Sequence, residues 1–225
     1  MVTNISLKTQ HILMNSKIFL IHGFCGMPIT LLPIKWALQK RGYKYVYTVS
    51  YSSILSLEKA TNSVLKQIKN IVCSNNKIIL IGYSFGGIIS YYISKILKIY
   101  LMILIASPLK SCIFLKKINY YLPFFITNFA KKIIPPLNDL LIDKNIDITI
   151  PYYTITTNLF CTNDFDGKIY LDDAIIDKNK NIKIINSSHA LLLINPICFQ
   201  KICELLDNHC TKISCADGFI KIDFV

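Results

Sequence analysis

The chain has 225 residues, of which 52% are hydrophobic and only 17% charged, and its formal net charge at pH 7 is +12. This length and composition exclude a disordered chain and favour a single globular domain with a substantial core. The basic residues are spread along the sequence without an arginine-rich or aromatic-interleaved stripe, so we expect no nucleic-acid binding, although the charge would attract anionic surfaces.

Apolar segments do not reach the length or continuity of a membrane span. Residues 18–34 contain no Lys, Arg, Asp or Glu, but glycines and prolines interrupt them. The apolar run at 99–109 is shorter than a bilayer requires. Residues 1–15 lack the continuous apolar core of a secretory signal. These features favour an intracellular, cytoplasmic protein.

The eight cysteines show no CxxC spacing, so we expect no zinc site. Most of them lie in apolar sequence, which predicts buried free thiols in a reducing compartment. Cys210 and Cys215 are near enough in sequence to close a small disulfide loop, but nothing else in the chain requires that bond.

Apolar runs alternate with amphipathic segments, a pattern that predicts an α/β fold with a mainly parallel sheet and helices on both faces. The predicted strands are Lys17–Ile21, Tyr45–Tyr51, Lys77–Gly82, Leu101–Ala106, Tyr152–Thr157 and Ile182–Asn186. The predicted helices are Thr30–Lys40, Ser56–Val72, the segment after Ser84, Leu171–Asp177 and Pro196–Leu206. We therefore expect about six strands in one domain that covers residues 1–225.

Two segments depart from this alternation. Residues 108–151 contain no clear strand and carry six aromatic residues, with five lysines interleaved among them between positions 110 and 132, so we predict a short inserted cap or lid. Its apolar side chains would meet acyl chains and its lysines anionic head groups, unless the aromatics pack on the sheet and the lysines are merely solvated. Residues 208–225 are predicted to form a C-terminal tail with a possible edge strand at 218–222.

The most informative motif is G-Y-S-F-G at residues 82–86, preceded by an apolar strand and followed by a helical segment. This context is typical of a nucleophile elbow, a sharp turn that raises a serine hydroxyl above the edge of a sheet. Gly82 and Gly86 flank the serine because a Cβ in such a crowded turn would clash. The motif indicates that Ser84 is a catalytic nucleophile.

A serine nucleophile needs a base and a carboxylate that orients it. His189 follows a predicted strand, in a short loop before a helix, where sites of α/β sheets assemble, so it is the predicted base. His11 and His209 are expected at the surface. Asp166 is the favoured acid, because Gly167 permits a tight turn after it, and Asp164 is the alternative.

Backbone N–H groups are predicted to stabilise the oxyanion of the tetrahedral intermediate. One belongs to Phe85, at the start of the helix after the serine, and the other to Phe24, in the glycine-containing loop after the first strand. Gly23 lets that loop approach the substrate. His22 is expected to brace the loop rather than to act as a base, and no Cys/His pair supports Cys25 as a nucleophile.

These motifs resemble those of the α/β-hydrolase superfamily, in particular its small lipases and esterases. The resemblance spans residues 17–206 and rests on F-L-I-H-G-F-C-G at 19–26, L-Q-K-R-G-Y at 38–43, G-Y-S-F-G-G at 82–87, D-G-K-I at 166–169 and S-H at 188–189. It implies an eight-stranded type of sheet, shortened here to about six strands because only 16 residues precede Lys17, where the resemblance begins. It also implies a serine nucleophile, an acyl-enzyme intermediate and no cofactor.

The expected activity is hydrolysis of carboxylic esters, with triacylglycerol-like lipids as the leading substrate class and a carboxylesterase as the near variant. An acyl thioesterase would use the same residues. A catalytically silent binding module with this fold is a further alternative, because fold does not fix function. The predicted partners are a lipid or ester substrate and, at the periphery, an anionic membrane surface.

Overall fold

The computed structural model describes residues 16–52, 54–110, 146–159 and 164–216, with side chains described as far as residue 209. Most of the cap predicted at 108–151, the edge strand predicted at 218–222, and the cysteine pair 210 and 215 lie outside the described backbone or side chains. His11 also lies outside them.

Six strands form one parallel sheet, which confirms the predicted fold class. They are β1 (Lys17–Ile21), β2 (Tyr45–Thr48), β3 (Ile78–Tyr83), β4 (Leu101–Ile105), β5 (Tyr152–Thr157) and β6 (Asn181–Ile184). Their order across the sheet is β2-β1-β3-β4-β5-β6, and every neighbouring pair is parallel. The chain leaves β1 to one side and returns to β3 on the other, so the strand order reverses between β1 and β3. Such a reversal opens a crevice at the carboxyl ends of these strands.

Five α-helices lie within the described residues. They are α1 (Leu32–Lys40), α2 (Leu57–Ile71), α3 (Phe85–Ser94), the single turn α4 (Leu171–Ala174) and α5 (Pro196–Ala216). Short 3-10 turns occur at Pro28–Leu31, Lys178–Lys180 and Leu191–Leu193. No helix in the described ranges has both the length and the apolar character needed to cross a bilayer.

The two faces of the sheet are covered by different helices, because successive strand residues point to opposite sides. Ile18 and Leu20 of β1 belong to the core cluster that includes residues of α1 and α5. Phe19 and Ile21 belong to the cluster that includes residues of α2 and α3. All four side chains are fully buried, and burial of each stabilises the fold by about 1.5–3 kcal/mol.

The sequence places α2 accurately because its start and its core face are both marked. Ser56 is the N-cap, and its hydroxyl accepts a hydrogen bond from the Lys59 N–H at 3.4 Å. Ala60, Val64 and Ile68, spaced four residues apart, are completely buried against the sheet.

Several predicted boundaries were wrong. Strand β2 ends at Thr48 rather than Tyr51, because its register with β1 runs out at Leu20. Helix α4 ends after one turn, since Asp177 instead caps the next turn by accepting the Asn179 N–H at 2.9 Å.

Helix α5 continues to Ala216, ten residues beyond its predicted end, because no glycine or proline interrupts the chain between Pro196 and Gly218. The first part of the predicted tail is therefore helical. His209 lies within this helix and is buried, with its ring 5.2 Å from that of Tyr100, so its predicted surface location was wrong.

Candidate active site

The turn between β3 and α3 holds Ser84 in a strained backbone conformation. Its φ of 53° and ψ of −121° lie where residues with a Cβ are rarely found. A Cβ at Gly82 would lie 2.5 Å from the Gly87 Cα, and one at Gly86 would lie 2.1 Å from the Ile21 carbonyl oxygen. Close backbone packing thus requires glycine on both sides. The Ser84 side chain itself is partly exposed.

The loop after β1 packs directly against this turn. A Cβ at Gly23 would lie 3.0 Å from the Ser84 Cβ, so the two backbones approach as closely as the chain permits. The rings of Phe24 and Phe85 meet edge to face, with centroids 6.4 Å apart. Within the described residues, neither the Phe24 nor the Phe85 N–H donates to another group of the protein. The two segments next to Ser84 thus each contain a backbone N–H without a partner among the described residues.

His189 and Asp166 form a buried pair at the carboxyl ends of β6 and β5. His189 Nδ1 lies 2.7 Å from Asp166 Oδ2, and each side chain is only 4% exposed. The other carboxylate oxygen, Oδ1, accepts the backbone N–H groups of Lys168 at 2.8 Å and Ile169 at 2.7 Å. The backbone N–H of His189 also donates to the backbone carbonyl of Asp166 at 2.8 Å, which connects the loops after β6 and β5.

This bonding orients the imidazole. The carboxylate accepts from Nδ1–H, which leaves Nε2 as the atom that could accept a proton. Gly167, with a φ of 98°, makes the turn that returns the chain to the carboxylate, as the Asp-Gly sequence predicts.

Asp164, the alternative acid, is placed differently. Its carboxylate lies 3.1 Å from the Lys183 Nζ and is 74% exposed, so it forms a surface ion pair and does not contact His189. Of the two aspartates, Asp166 is therefore the one that contacts His189.

Ser84 and His189 lie at the same edge of the sheet, and Tyr83 connects them. Its ring lies 5.0 Å from that of His189, and it directly precedes Ser84. No hydrogen bond joins the Ser84 hydroxyl to His189 in the described part of the chain. Such bonds are often long without substrate and tighten in the reacting complex.

No protein-family model and no curated protein matches the sequence. Solved structures do match the fold. A Bacillus licheniformis lipase in its propeptide form superposes with a TM-score of 0.71 at 14% identity, over 86% of this chain and 50% of that one. The chain thus spans half the length of the propeptide form. The mature form of the same lipase superposes with a TM-score of 0.69 at 15% identity, over 85% of this chain and 92% of that one. The α/β-hydrolase domain-containing protein 10 from mouse superposes with a TM-score of 0.63 at 14% identity, over 88% of this chain and 90% of that one. The chain has the α/β-hydrolase fold.

His22 has a supporting place in this α/β-hydrolase fold. Its side chain is completely buried, stacks on the Tyr51 ring at 4.1 Å, and its Nδ1 lies 3.0 Å from the Gly23 carbonyl oxygen. Burial lowers the pKa of the imidazole, which favours the neutral ring. These contacts match the expected role of bracing the loop after β1.

The cysteines are less uniformly buried than expected. Cys198 is buried, and burial raises the pKa of its thiol to about 12, but Cys25 and Cys73 are exposed. Cys25 lies in the loop after β1, where its φ is 53°. Within the described ranges, no three His, Cys, Asp or Glu side chains are grouped to hold a metal ion.

Two site residues escaped prediction from the sequence. Tyr51 and Tyr83 each contact a site histidine with both the ring and the hydroxyl. Neither contact follows from spacing, because the partners are 29 and 106 residues apart. The only signal was their type and place: each is an aromatic residue near the carboxyl end of a predicted strand.

Proposed function

We propose that this protein is a serine hydrolase that cleaves carboxylic esters, with Ser84 as nucleophile, His189 as base and Asp166 as the acid that orients the base. The observation that carries the proposal is the buried His189–Asp166 pair, held at 2.7 Å and completed by two backbone N–H donors to the carboxylate. A buried carboxylate costs free energy unless it is paired, so such an arrangement is typical of a site where an imidazolium forms.

The reaction would proceed in two halves. Ser84 Oγ attacks the ester carbonyl carbon as its proton passes to His189 Nε2, and the carbonyl oxygen becomes an oxyanion facing the N–H groups of Phe24 and Phe85. Collapse of this intermediate breaks the bond to the alcohol, which leaves with the proton from Nε2. Water then attacks the acyl-enzyme through the same base, and the carboxylic acid is released with Ser84 restored.

Apolar esters are the proposed substrates, with a lipase acting on triacylglycerol-like lipids or a carboxylesterase as the two forms. Exposed apolar side chains lie on the segments after β1 and β6 that also carry Phe24 and His189: Met27, Ile29, Leu191 and Ile194. Such a surface favours apolar acyl chains over polar substrates. The lipase and esterase names of solved structures with this fold are consistent with that class. Contact with an anionic membrane, driven by the net charge of +12, is proposed as peripheral.

Hydrolysis of p-nitrophenyl esters of short and long acyl chains, by the wild type and Ser84→Ala, tests the proposal. We expect wild-type activity and a loss of at least about 10³-fold in the variant. Ser94→Ala is the matched control: it removes a hydroxyl from the far end of α3, where Ser94 Oγ donates to the Tyr91 carbonyl, and should retain activity.

Activity that survives in Ser84→Ala would overturn the assignment of the nucleophile. An acyl thioester assayed in parallel tests the thioesterase alternative, which predicts that the thioester is cleaved in preference to the ester. A wild type that cleaves neither substrate and is not labelled by a fluorophosphonate probe would identify a silent module instead.

A further inference from the structure

Tyr83 contacts all three loops of the candidate site. Its hydroxyl donates to the His189 carbonyl at 3.1 Å, and its ring lies 5.0 Å from the imidazole of the same residue. On its other side, the ring approaches the loop after β1, since a Cβ at Gly23 would lie 3.1 Å from it. Tyr83 itself precedes Ser84 in the chain. One side chain thus links three segments: the turn at Ser84 (the nucleophile turn), the loop that carries His189 (the base loop) and the loop that carries Gly23 and Phe24 (the oxyanion loop).

Tyr51 makes a parallel pair of contacts with the other site histidine. It lies in the loop after β2, its hydroxyl donates to the His22 carbonyl, and its ring is stacked on the His22 imidazole with an interplanar angle of 7°. His22 precedes Gly23 and Phe24, so this bond fixes the peptide from which the oxyanion loop begins.

Both tyrosines are suited to a permanent donor role. Each is 8% exposed. Burial raises the pKa of both hydroxyls, and for Tyr83 the nearby Asp166 carboxylate adds to the increase, so both remain protonated. A buried hydroxyl that donates to a carbonyl holds that peptide in one place. Water could satisfy the same carbonyl equally well, but it would not fix the position of the peptide.

We propose that Tyr83 and Tyr51 are positioning residues: Tyr83 holds the base loop through the His189 carbonyl, and Tyr51 holds the oxyanion loop through the His22 carbonyl. This inference rests on the proposed function. Neither hydroxyl touches the reacting atoms. Each acts through the placement of a group that does, and a displacement of about 1 Å in such a group can reduce a rate by two orders of magnitude.

The protein supplies a matched control in Tyr43. It is also buried, and its hydroxyl also donates a hydrogen bond, to Asp207 Oδ1 at 2.7 Å. It precedes β2, however, and therefore lies at the opposite edge of the sheet from the site. Tyr43→Phe removes the same kind of hydroxyl without touching either loop.

The test compares Tyr83→Phe, Tyr51→Phe and Tyr43→Phe, each of which keeps the ring. We expect kcat on a p-nitrophenyl ester to fall about tenfold in the first two variants, with KM within about twofold of the wild type. Affinity for a boronic acid that forms a tetrahedral adduct on serine should fall by the same factor, because the adduct needs the base and the oxyanion donors in place. Tyr43→Phe should lower the unfolding midpoint and leave kcat and boronic acid affinity unchanged.

The outcomes are distinguishable. Wild-type kcat in Tyr83→Phe and Tyr51→Phe would overturn the inference and leave the proposed function standing. An equal loss of kcat in Tyr43→Phe would also overturn it, because the effect would then reflect stability in general. A wild type that neither hydrolyses esters nor binds the boronic acid would overturn the proposed function and this inference together. Losses that multiply to about a hundredfold in the double variant would support two separate tethers.

Discussion

The two edges of the parallel sheet are constructed differently. In the described residues, all four non-glycine positions with positive φ follow the carboxyl ends of strands: Cys25, Ser84, Ala106 and Asn186. At the amino edge, lysines lie over tyrosine rings instead, as Lys17 does over Tyr45 at 3.4 Å and Lys77 over Tyr100 at 4.3 Å. Among the described non-glycine residues, positive φ is confined to the edge where the candidate site lies, and the opposite edge carries cation–π contacts instead.

The difference indicates how the fold separates stability from function. Strained residues persist at the carboxyl edge because buried hydrogen bonds and close glycine contacts determine their conformation. At the amino edge, no described residue with a Cβ has a positive φ, so we expect its residues to contribute to stability alone. Substitutions of buried or strained residues at the carboxyl edge should therefore change activity or abolish folding, whereas substitutions at the amino edge should change stability and leave activity unaltered.

The largest expected effect comes from Asp166→Asn. The amide cannot stabilise an imidazolium and would favour the wrong tautomer of His189, so kcat/KM on a p-nitrophenyl ester should fall about 10⁴-fold. Asp164→Asn is the control at the same edge. Its exposed carboxylate pairs only with Lys183 among the described residues, so its kcat/KM should remain within about twofold of the wild type. A greater loss in Asp164→Asn than in Asp166→Asn would reverse the assignment.

The next effect is on stability and compares a glycine from each edge. Gly86→Ala places a Cβ 2.1 Å from the Ile21 carbonyl oxygen, a backbone atom that cannot move aside, so the free energy of unfolding should fall by about 3 kcal/mol or more. Gly42, which follows α1 at the amino edge, has a φ of 104°. Gly42→Ala should cost about 1 kcal/mol, because alanine is disfavoured in a left-handed backbone.

Urea unfolding of both glycine variants measures this difference. Equal losses would mean that the steric contact at Gly86 costs no more than the left-handed backbone at Gly42. Esterase activity should survive in Gly42→Ala at temperatures where the protein remains folded.

Most of the fold could be predicted from the sequence, because a sheet covered on both faces produces continuous apolar strands. The strand β3, which ends at Tyr83, is buried throughout. The glycines at 82 and 86, on either side of Ser84, identify the turn that follows the strand. The choice of Asp166 over Asp164 depended on Gly167, whose φ of 98° is a local property that the sequence suggests.

What could not be predicted depends on contacts between distant segments. Tyr51 and Tyr83 reach site histidines through loops that only the sheet brings together. The burial of His209 was missed because the end of α5 was placed too early, and a histidine thought to follow the helix lies inside it. The catalytic roles of Ser84 and His189 remain predictions.

Acid should destabilise the carboxyl edge through His22, which follows β1. Burial lowers the pKa of His22 below its ordinary value of 6.5, so near and below that pH the unfolded chain binds a proton that the folded protein excludes. This contribution to stability is present above pH 6.5 and is lost as the pH falls from 6.5 towards the folded pKa, by up to about 1.4 kcal/mol per pH unit.

His22→Asn removes this titration. Urea unfolding at pH 7.5 and 5.5 should therefore show a smaller decrease in stability for the variant than for the wild type. An identical decrease in both proteins would mean that groups elsewhere in the chain determine the acid sensitivity.

The smallest effect is expected at the amino edge from Lys17→Met. The substitution keeps an apolar stem of similar length beside Tyr45 but removes the ammonium, so the unfolding free energy should fall by about 0.5 kcal/mol. Lys44→Met, at the exposed lysine directly before β2, removes the same kind of charge where the described residues show no ring contact, and should change stability less. Because neither lysine communicates with the carboxyl edge, kcat should be unchanged in both. A fall in kcat for Lys17→Met without a matching loss of stability would show that the two edges are coupled through β1, and the separation of stability from function would then fail.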